Sequence, residues 1–169
     1  SKMIQQKSRR YKETGYMDLF LLPENRDFYN QITEINNNNM QIHCSALFVG
    51  DEMIATNLGI IHNKIFYYLM PAYEGGDWIK YSPGRLLLEY LLESSIYDRI
   101  SFFDFTIGGE PYKMQWCENQ IGIYELVVAK RFKGKIYYLF FKAKVFLRKY
   151  PHIKNKLIKV REWIKSKFL

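Results

Sequence analysis

The chain has 169 residues, 48% of them hydrophobic and 17% aromatic, and this composition excludes an intrinsically disordered chain. The formal net charge is +8, but residues 130–169 hold 14 Lys and Arg against one acidic residue, so the rest of the chain is net acidic. A basic tail on an acidic body argues against a domain that binds nucleic acid over its whole surface.

The cysteines and the apolar runs indicate the cellular setting. Cys44 and Cys117 lie in no CxxC pair and beside no histidine at metal-ligand spacing, so we expect reduced thiols and no metal site. No uninterrupted apolar run of about 18 residues occurs, and residues 1–10 are polar and basic. We therefore expect neither a spanning helix nor a signal peptide, and a cytoplasmic location.

The first 40 residues are predicted to be mainly helical. Residues 3–14 are polar and charged and predict a short helix, which Gly15 ends because glycine readily takes the left-handed conformation. Residues 16–22 predict a strand. A second helix is predicted from Pro23, and residues 36–39 predict a turn or loop.

A meander of three antiparallel strands is predicted next. The strands are 42–49, 53–61 and 65–70, each rich in Ile, Val, Phe or Tyr and separated from the next by a short turn.

A helical crossover follows the meander. After a loop at 71–82, Pro83 begins a leucine-rich helix, and residues 100–105 predict a compact apolar strand. Because a helix separates that strand from 65–70, we expect the two to pair in parallel through a right-handed crossover. The predicted buried face of the helix comprises Leu86, Leu87, Tyr90, Leu91, Ile96 and Tyr97.

The C-terminal part is predicted to begin with a strand and to end in helices. Residues 121–129 predict the strand, and 136–149 and 154–168 predict two basic, aromatic helices. Together the elements predict an α/β fold, with a mixed, mainly antiparallel sheet flanked by helices and a basic helical C-terminal extension.

The start of the leucine-rich helix is the first candidate site. Ser82, Pro83, Gly84 and Arg85 bring a proline, a residue without Cβ and a cation to the positive end of a helix, which suits a phosphate or pyrophosphate. The alternative is an ordinary helix start with Ser82 as the N-cap.

The end of the predicted strand 100–105 is the second candidate site. Asp104 lies among apolar residues, so it is either a structural hydrogen-bond acceptor or a carboxylate kept for proton transfer. The following loop adds Tyr112, Lys113 and Trp116 near the same strand end, where open α/β sheets usually bind ligands.

The order of these features resembles a known family. A loop ending in Tyr-Ser-Pro-Gly, a leucine-rich helix, a strand ending in Asp-Phe, and then glycine followed by Tyr-Lys and Trp is similar to one branch of the GNAT acyltransferase superfamily. That branch is associated with cellulose and other exopolysaccharide biosynthesis and is itself similar to the Fem aminoacyltransferases. The similarity runs from about residue 46 to residue 129.

The resemblance implies a GNAT-like acyltransferase domain at 1–129, with 130–169 as a basic aromatic tail packed on it or extending from it. It implies an acyl-CoA or acetyl-CoA donor, no metal, and a small-molecule or glycan acceptor such as a cell-envelope precursor. The donor would contact Phe66, Tyr68, Leu69, Met70, Ser82, Pro83, Gly84, Arg85 and Leu86.

The implied mechanism is direct transfer, in which the acceptor attacks a thioester held at near-attack geometry and no covalent enzyme intermediate forms. In this mechanism Asp104 removes the acceptor proton, Tyr112 protonates the departing thiolate, and Lys113 holds an anionic acceptor or phosphate. His43 is a second candidate base, against the alternative of a surface or satisfied core histidine.

Two other functions stay open. The Gln/Arg-x-x-Gly-x-Gly/Ala loop usual in the superfamily is absent, and only Gly84 stands in its place. The alternatives are therefore a Fem-like transferase that uses aminoacyl-tRNA and a non-catalytic binding module with the same fold, docked on a membrane or partner.

The basic tail has three interpretations. In the first interpretation, its apolar residues pack on the domain while its lysines face solvent. Alternatively, residues 136–168 lie on an anionic membrane surface and hold the protein at the inner face. The third interpretation is that they bind nucleic acid such as tRNA.

Overall fold

The structure is a computed structural model of the chain and describes residues 1–37 and 40–149. The chain forms two compact units, of which the first is Ser1–Asn119 and the second begins at Gln120. The first unit contains the sheet and the helices around it.

The first unit is built on a mixed five-stranded sheet of order β1-β2-β3-β4-β5. The strands are β1 (Asn36–Asn37), β2 (Met40–Val49), β3 (Glu52–His62), β4 (Ile65–Tyr73) and β5 (Phe102–Asp104). β1 to β4 pair antiparallel, and β5 pairs parallel to β4. The predicted meander, the parallel pairing and the mixed α/β fold class are confirmed.

The short strand β1 corrects one prediction. Asn36 and Asn37 pair with Gln41 and Met40 of β2, so the predicted turn is wrong at these two positions. Their backbone groups gain partners in the sheet, which outweighs the turn preference of asparagine. The other two residues of the predicted turn, 38–39, lie outside the described residues.

Helix α1 (Lys2–Thr14) covers one face of the sheet and ends at Gly15, whose φ is 70°, as predicted. The buried Gln6 amide fixes the helix to β3, because it donates to the Met53 carbonyl at 3.1 Å and accepts from the Thr56 hydroxyl at 2.8 Å. The hydrophobic core on this face comprises Ile4, Phe20, Leu58 and Met70.

The strand predicted at 16–22 is wrong. Asp18 Oδ1 accepts the N–H of Phe20 at 3.0 Å, and the chain turns into a 3-10 helix at Leu19–Leu21 that buries Phe20. A short polar side chain that bonds its own backbone competes with strand pairing in this way. Helix α2 (Pro23–Ile32) follows, as predicted.

Helix α3 (Pro83–Tyr97) covers the opposite face. It begins at Pro83, as predicted, but its buried residues are Leu87, Leu88, Leu91 and Ser95 together with Pro83. The predicted residues Leu86, Tyr90, Ile96 and Tyr97 are instead exposed. A serine occupies the buried stripe because its hydroxyl donates to the Leu91 carbonyl at 2.7 Å. The core on this face adds Ala55, Phe66, Tyr68 and Phe105.

The strand predicted at 121–129 is wrong. Residues 120–130, all of which the structure describes, form no helix or strand, and Ile121 and Tyr124 are almost fully exposed. An alternating apolar pattern forms a strand only where a second strand pairs with its backbone. Helix α4 (Phe132–Lys149) confirms the helix predicted at 136–149, and the helix predicted at 154–168 lies outside the described residues.

Candidate active site

The two parallel strands separate after three residue pairs. β4 and β5 pair from Ile65 with Phe102 to Tyr67 with Asp104, where β5 ends. β4 continues to Tyr73, paired on its other side with β3. The register between β3 and β4 also shifts next to the separation, and such a bulge bends a strand and increases its twist. The far half of β4 therefore has an edge that β5 does not cover.

A cavity of about 750 Å³ lies along this edge. Its volume is in the range of small-molecule and cofactor sites. Its walls come from α1, the end of β4, the first turn of α3 and the loop after β5. The polar and aromatic side chains that line it are Lys7, Arg10, Tyr11, Thr14, Tyr16, Tyr68, Tyr73, Ser82, Arg85, Glu110, Tyr112, Gln115 and Trp116.

The first turn of α3 offers few backbone donors. Ser82 has a left-handed backbone (φ 51°, ψ 52°), and its side chain makes no cap hydrogen bond. The N–H groups of Arg85 and Leu86 donate to the Ser82 carbonyl at 2.9 and 3.1 Å, and Pro83 has no N–H. The donors that remain at this helix end in the described chain are the Gly84 N–H, the Ser82 hydroxyl and the Arg85 guanidinium.

Gly84 also has a packing role. A Cβ built on Gly84 would lie 2.8 Å from Cδ1 of Tyr73, whose ring covers this turn. Glycine is therefore required at this position by the close approach of β4 and α3, whatever ligand binds there.

Two arginines stack on aromatic rings of the cavity wall. The Arg10 guanidinium carbon lies 5.7 Å from the centre of the Tyr73 ring, and that of Arg85 lies 5.6 Å from the centre of the Trp116 ring. Stacking holds each guanidinium flat, and both arginines are also paired on their own helices, Arg85 Nε with Glu89 at 3.0 Å and Arg10 Nη1 with Glu13 at 3.7 Å. The N–H groups outside these pairs suit a phosphate or carboxylate. The two arginines approach the cavity from α1 and α3.

Lys7 is the third cation of the cavity. Its Nζ donates to the Pro71 carbonyl of β4 at 2.9 Å. Burial lowers the pKa of the Lys7 amine, and Glu110 opposes this shift. Lys7, Arg10 and Arg85 share the lining with the single carboxylate of Glu110, while Glu13 and Glu89, which pair with the two arginines, lie outside it. The lining itself therefore favours an anionic ligand.

Tyr112 is the best-placed proton donor of the cavity. It comes from the loop after β5 and is 38% exposed. Burial raises the pKa of Tyr112 to about 12, and the neighbouring Glu110 carboxylate adds to the shift. The phenol therefore keeps its proton at neutral pH.

Asp104 and His43 lie away from the cavity lining. Asp104 is exposed, and its Oδ1 accepts the N–H of Thr106 at 2.7 Å, which is the structural role weighed for it above. The His43 ring packs edge-on against Phe66 at 5.2 Å, and burial lowers its pKa. Neither geometry favours the predicted role as a base.

Lys113 holds the loop together. It is only 6% exposed, and its Nζ donates to the Ile107 carbonyl at 3.1 Å and pairs with Glu110 at 2.8 Å. The hydrogen bond from Lys113 is the main cause that lowers the pKa of Glu110. The ammonium predicted to hold an anionic acceptor is thus already engaged by the protein.

The predicted donor-binding residues divide into three groups. Those that line the cavity are Tyr68, Ser82, Pro83, Gly84 and Arg85. Phe66 and Met70 are buried in the two cores, so only their backbone can meet a ligand, and Leu69 and Leu86 are partly exposed outside the lining.

Sequence reasoning missed the wall that α1 provides. Lys7, Arg10, Tyr11 and Thr14 follow at spacings of three, one and three residues, so they share one face of the helix. That polar stripe is visible in the sequence, but nothing in the sequence shows that it faces β4. Glu110 was also missed.

Comparison with known proteins gives one match. Residues 1–114 match the family model described as an acetyltransferase (GNAT) domain. The matched region contains the whole sheet and α1 to α3. No curated protein and no solved structure matches the chain. Among the described residues, no group of three or more His, Cys, Asp or Glu is arranged to hold a metal ion.

Proposed function

The chain belongs to the GNAT acetyltransferase domain family, and on that premise we propose that its cavity moves an acyl group from acyl-CoA to an amine or hydroxyl of a sugar, polysaccharide or cell-envelope precursor. The observation that carries the proposal is the separation of β4 from β5 beside the first turn of α3. It gives one cavity both an uncovered strand edge and a cationic helix start.

The residues present fit an acyl-CoA donor. On the far half of β4 the carbonyls of Tyr68, Pro71 and Tyr73 already accept hydrogen bonds from the Thr106 hydroxyl, Lys7 and Arg9. An extended, amide-containing arm such as pantetheine would bind the backbone groups of this edge that remain. The Gly84 N–H and the Arg85 guanidinium at the start of α3 suit the pyrophosphate.

Tyr112 and Glu110 support a division of the acid and base roles. The bound donor supplies a thioester, whose carbonyl carbon forms a bond to the acceptor nitrogen or oxygen while the C–S electron pair leaves with sulfur. Tyr112 Oη gives its proton to the departing thiolate, since its pKa of about 12 keeps it protonated until then. Glu110, a carboxylate at neutral pH whose pKa is lowered further by Lys113, accepts the hydrogen bond of the acceptor, orients it and takes up its proton as the new bond forms. Exchange with water then returns Glu110 to the carboxylate and Tyr112 to the phenol.

The α1 side of the cavity supports a glycan-like acceptor. Tyr11, Tyr16 and Tyr73 offer flat aromatic surfaces with hydroxyl groups, and Thr14 and Arg10 add hydrogen-bonding groups at the same wall. Lys7 and Arg10 favour an acceptor that carries a carboxylate or phosphate.

A thermal-shift measurement tests the donor. Coenzyme A and acetyl-CoA are expected to raise the midpoint of unfolding, because a ligand that binds only the native state stabilises it. Uncharged tRNA is the comparison ligand. A rise with tRNA alone would replace acyl-CoA by a tRNA donor, and no rise with any of the three would favour a binding module.

An arginine variant locates the donor site. Arg85→Gln is expected to weaken coenzyme A binding about tenfold, because one charge-assisted hydrogen bond to phosphate is lost. Titration calorimetry measures the effect. Lys64→Gln, at an exposed lysine of the β3–β4 turn, is the matched control and should bind as the unchanged chain does. Equal affinity of the two variants would remove Arg85 from the donor site.

A further inference from the structure

An exposed apolar sector runs along helix α4. It is about 120° wide on a helical projection and comprises Phe132, Ile136, Leu139, Phe140, Ala143 and Phe146. Phe132 is 78% exposed, Leu139 66% and Phe140 71%. The other side of the helix contains Gly134, Tyr138 and Phe141, which are half-buried, and Val145, which is 47% exposed. The large apolar residues of the sector are therefore on the solvent side of the helix.

Lysines border the apolar sector on both sides. On the projection, Lys133 lies next to Phe140 at one edge, and Lys135 and Lys142 lie next to Phe146 at the other. Lys142 Nζ also lies 5.0 Å from the centre of the Tyr138 ring. All three lysines are exposed. Residues 130–149 contain eight Lys and Arg and no Asp or Glu, so nothing on the helix offsets this charge.

This arrangement is typical of a helix that lies in the surface of an anionic bilayer. Apolar side chains enter the boundary of the acyl chains, while lysines at the edges of the sector reach back to the lipid phosphates. A polyanion such as tRNA fits less well, because contact with both lysine rows would cover the large apolar side chains between them. No helix in the described part of the chain is long and apolar enough to cross a membrane.

We propose that α4 docks the protein on an anionic lipid surface, with the apolar sector below the headgroups and Lys133, Lys135 and Lys142 against the lipid phosphates. The proposal goes beyond acyl transfer and does not depend on it. It concerns only the helix itself and its own charge and exposure.

Vesicle co-sedimentation of the full chain tests the proposal. The protein is expected to bind phosphatidylcholine vesicles that contain phosphatidylglycerol, to bind pure phosphatidylcholine vesicles far less, and to be released by salt. In the triple variant Lys133→Gln, Lys135→Gln, Lys142→Gln the vesicle–water partition coefficient should fall about a hundredfold. The reason is that each lysine near an anionic surface contributes a similar share of the binding free energy.

Apolar variants separate insertion from simple charge attraction. Leu139→Gln with Phe140→Gln should also lose vesicle binding, whereas Ile96→Gln, an 80% exposed apolar position on α3, should keep it. Unchanged binding of the double variant would overturn the proposal. So would tight binding of uncharged tRNA by a chain that binds neither kind of vesicle.

A tryptophan pair tests which face inserts and does not depend on loss of binding. Compared with the unchanged chain, which has three tryptophans of its own, Phe140→Trp should add strong quenching by brominated lipid in anionic vesicles, and Phe141→Trp, on the half-buried side, should add much less. Equal quenching at the two positions, or none at either, would contradict the assignment of the apolar sector to the lipid.

Discussion

Tyr112 is the residue on the cavity wall whose chemistry is most directly testable. Tyr112→Phe keeps the ring and removes the proton, so kcat should fall roughly 100-fold, with little change in KM for acetyl-CoA. Steady-state kinetics with the acceptor in excess measure this split. Tyr90→Phe, at an exposed tyrosine of α3, is the matched control. An unchanged kcat in Tyr112→Phe would mean that the thiolate leaves without this proton.

Asp104, unlike Tyr112, is expected to have a structural and not a catalytic role. Its carboxylate is exposed and accepts the Thr106 N–H, a bond that an asparagine side-chain oxygen also accepts. Asp104→Asn should therefore retain most of the activity, whereas loss of a general base would lower kcat by a factor of roughly 10² or more. The same kinetic measurement decides between a structural and a catalytic Asp104.

The partly buried ammonium of Lys7 is expected to lower the free energy of unfolding. Lys7→Met should raise the free energy of unfolding by less than about 1 kcal/mol at neutral pH, because a partly buried ammonium is replaced by an apolar side chain while its hydrogen bond to the Pro71 carbonyl is lost. Lys12→Met, at an exposed lysine of the same helix, should show no such gain. Urea unfolding of both variants measures the difference.

The pH dependence of the Lys7 effect has a definite sign. Burial lowers the pKa of Lys7, so between that pKa and the ordinary lysine value the folded chain binds fewer protons at this amine than the unfolded chain. The unchanged protein therefore gains stability as pH rises through this window, and its difference from Lys7→Met should shrink. Glu110, Arg10 and Lys113 are the neighbouring charges. A difference that grows with pH would contradict the buried ammonium.

At the scale of elements, the close approach of α3 to β4 makes Gly84 a structural position. Gly84→Ala should lower the free energy of unfolding by about 1–3 kcal/mol, because the new Cβ overlaps the Tyr73 ring. Coenzyme A should also bind more weakly, since Tyr73 lines the cavity. Gly109→Ala, which adds a Cβ in open space, is the control and should be nearly neutral. If urea unfolding gives equal stability for the two variants, the turn accommodates the new Cβ with no loss in the free energy of unfolding.

The loop after β5 is fixed by its own charges. Lys113 bonds both the Ile107 carbonyl and Glu110, and so holds the loop in shape. Tyr112, which precedes Lys113 in this loop, is thereby positioned on the cavity wall. The sequence indicated that this loop was functional, but it suggested that Lys113 binds the acceptor. A lysine within a short loop meets the carbonyls and carboxylates of that loop first, since they are the nearest acceptors.

At the scale of the molecule, the first unit contains everything that the proposed chemistry needs. Both hydrophobic cores and the cavity are built from residues before Asn119. A chain of residues 1–119 should unfold cooperatively and show the same thermal shift with coenzyme A as the full chain. It should not bind anionic vesicles, because it lacks α4. A chain that is unfolded by circular dichroism would show that the first unit needs the second.

The sequence alone determined the order of the main elements and the parallel crossover. These depend on periodicity, on glycine and proline positions, and on spacing along the chain, which are local properties. The strand prediction failed at 121–129 because no strand among the described residues pairs with that segment. It failed at 16–22 because the Asp18 side chain bonds the nearby Phe20 N–H instead.

The tertiary structure alone decided which side chains share the cavity. Lys7 and Arg10 meet Arg85, Glu110 and Tyr112 only because α1 packs against β3 and β4 beside the edge that β5 leaves uncovered. The two groups lie 75 to 105 residues apart along the chain, and no sequence periodicity marks that they meet. These side chains share one cavity because of the face that each helix turns toward the sheet. That orientation is set by the packing of the whole first unit.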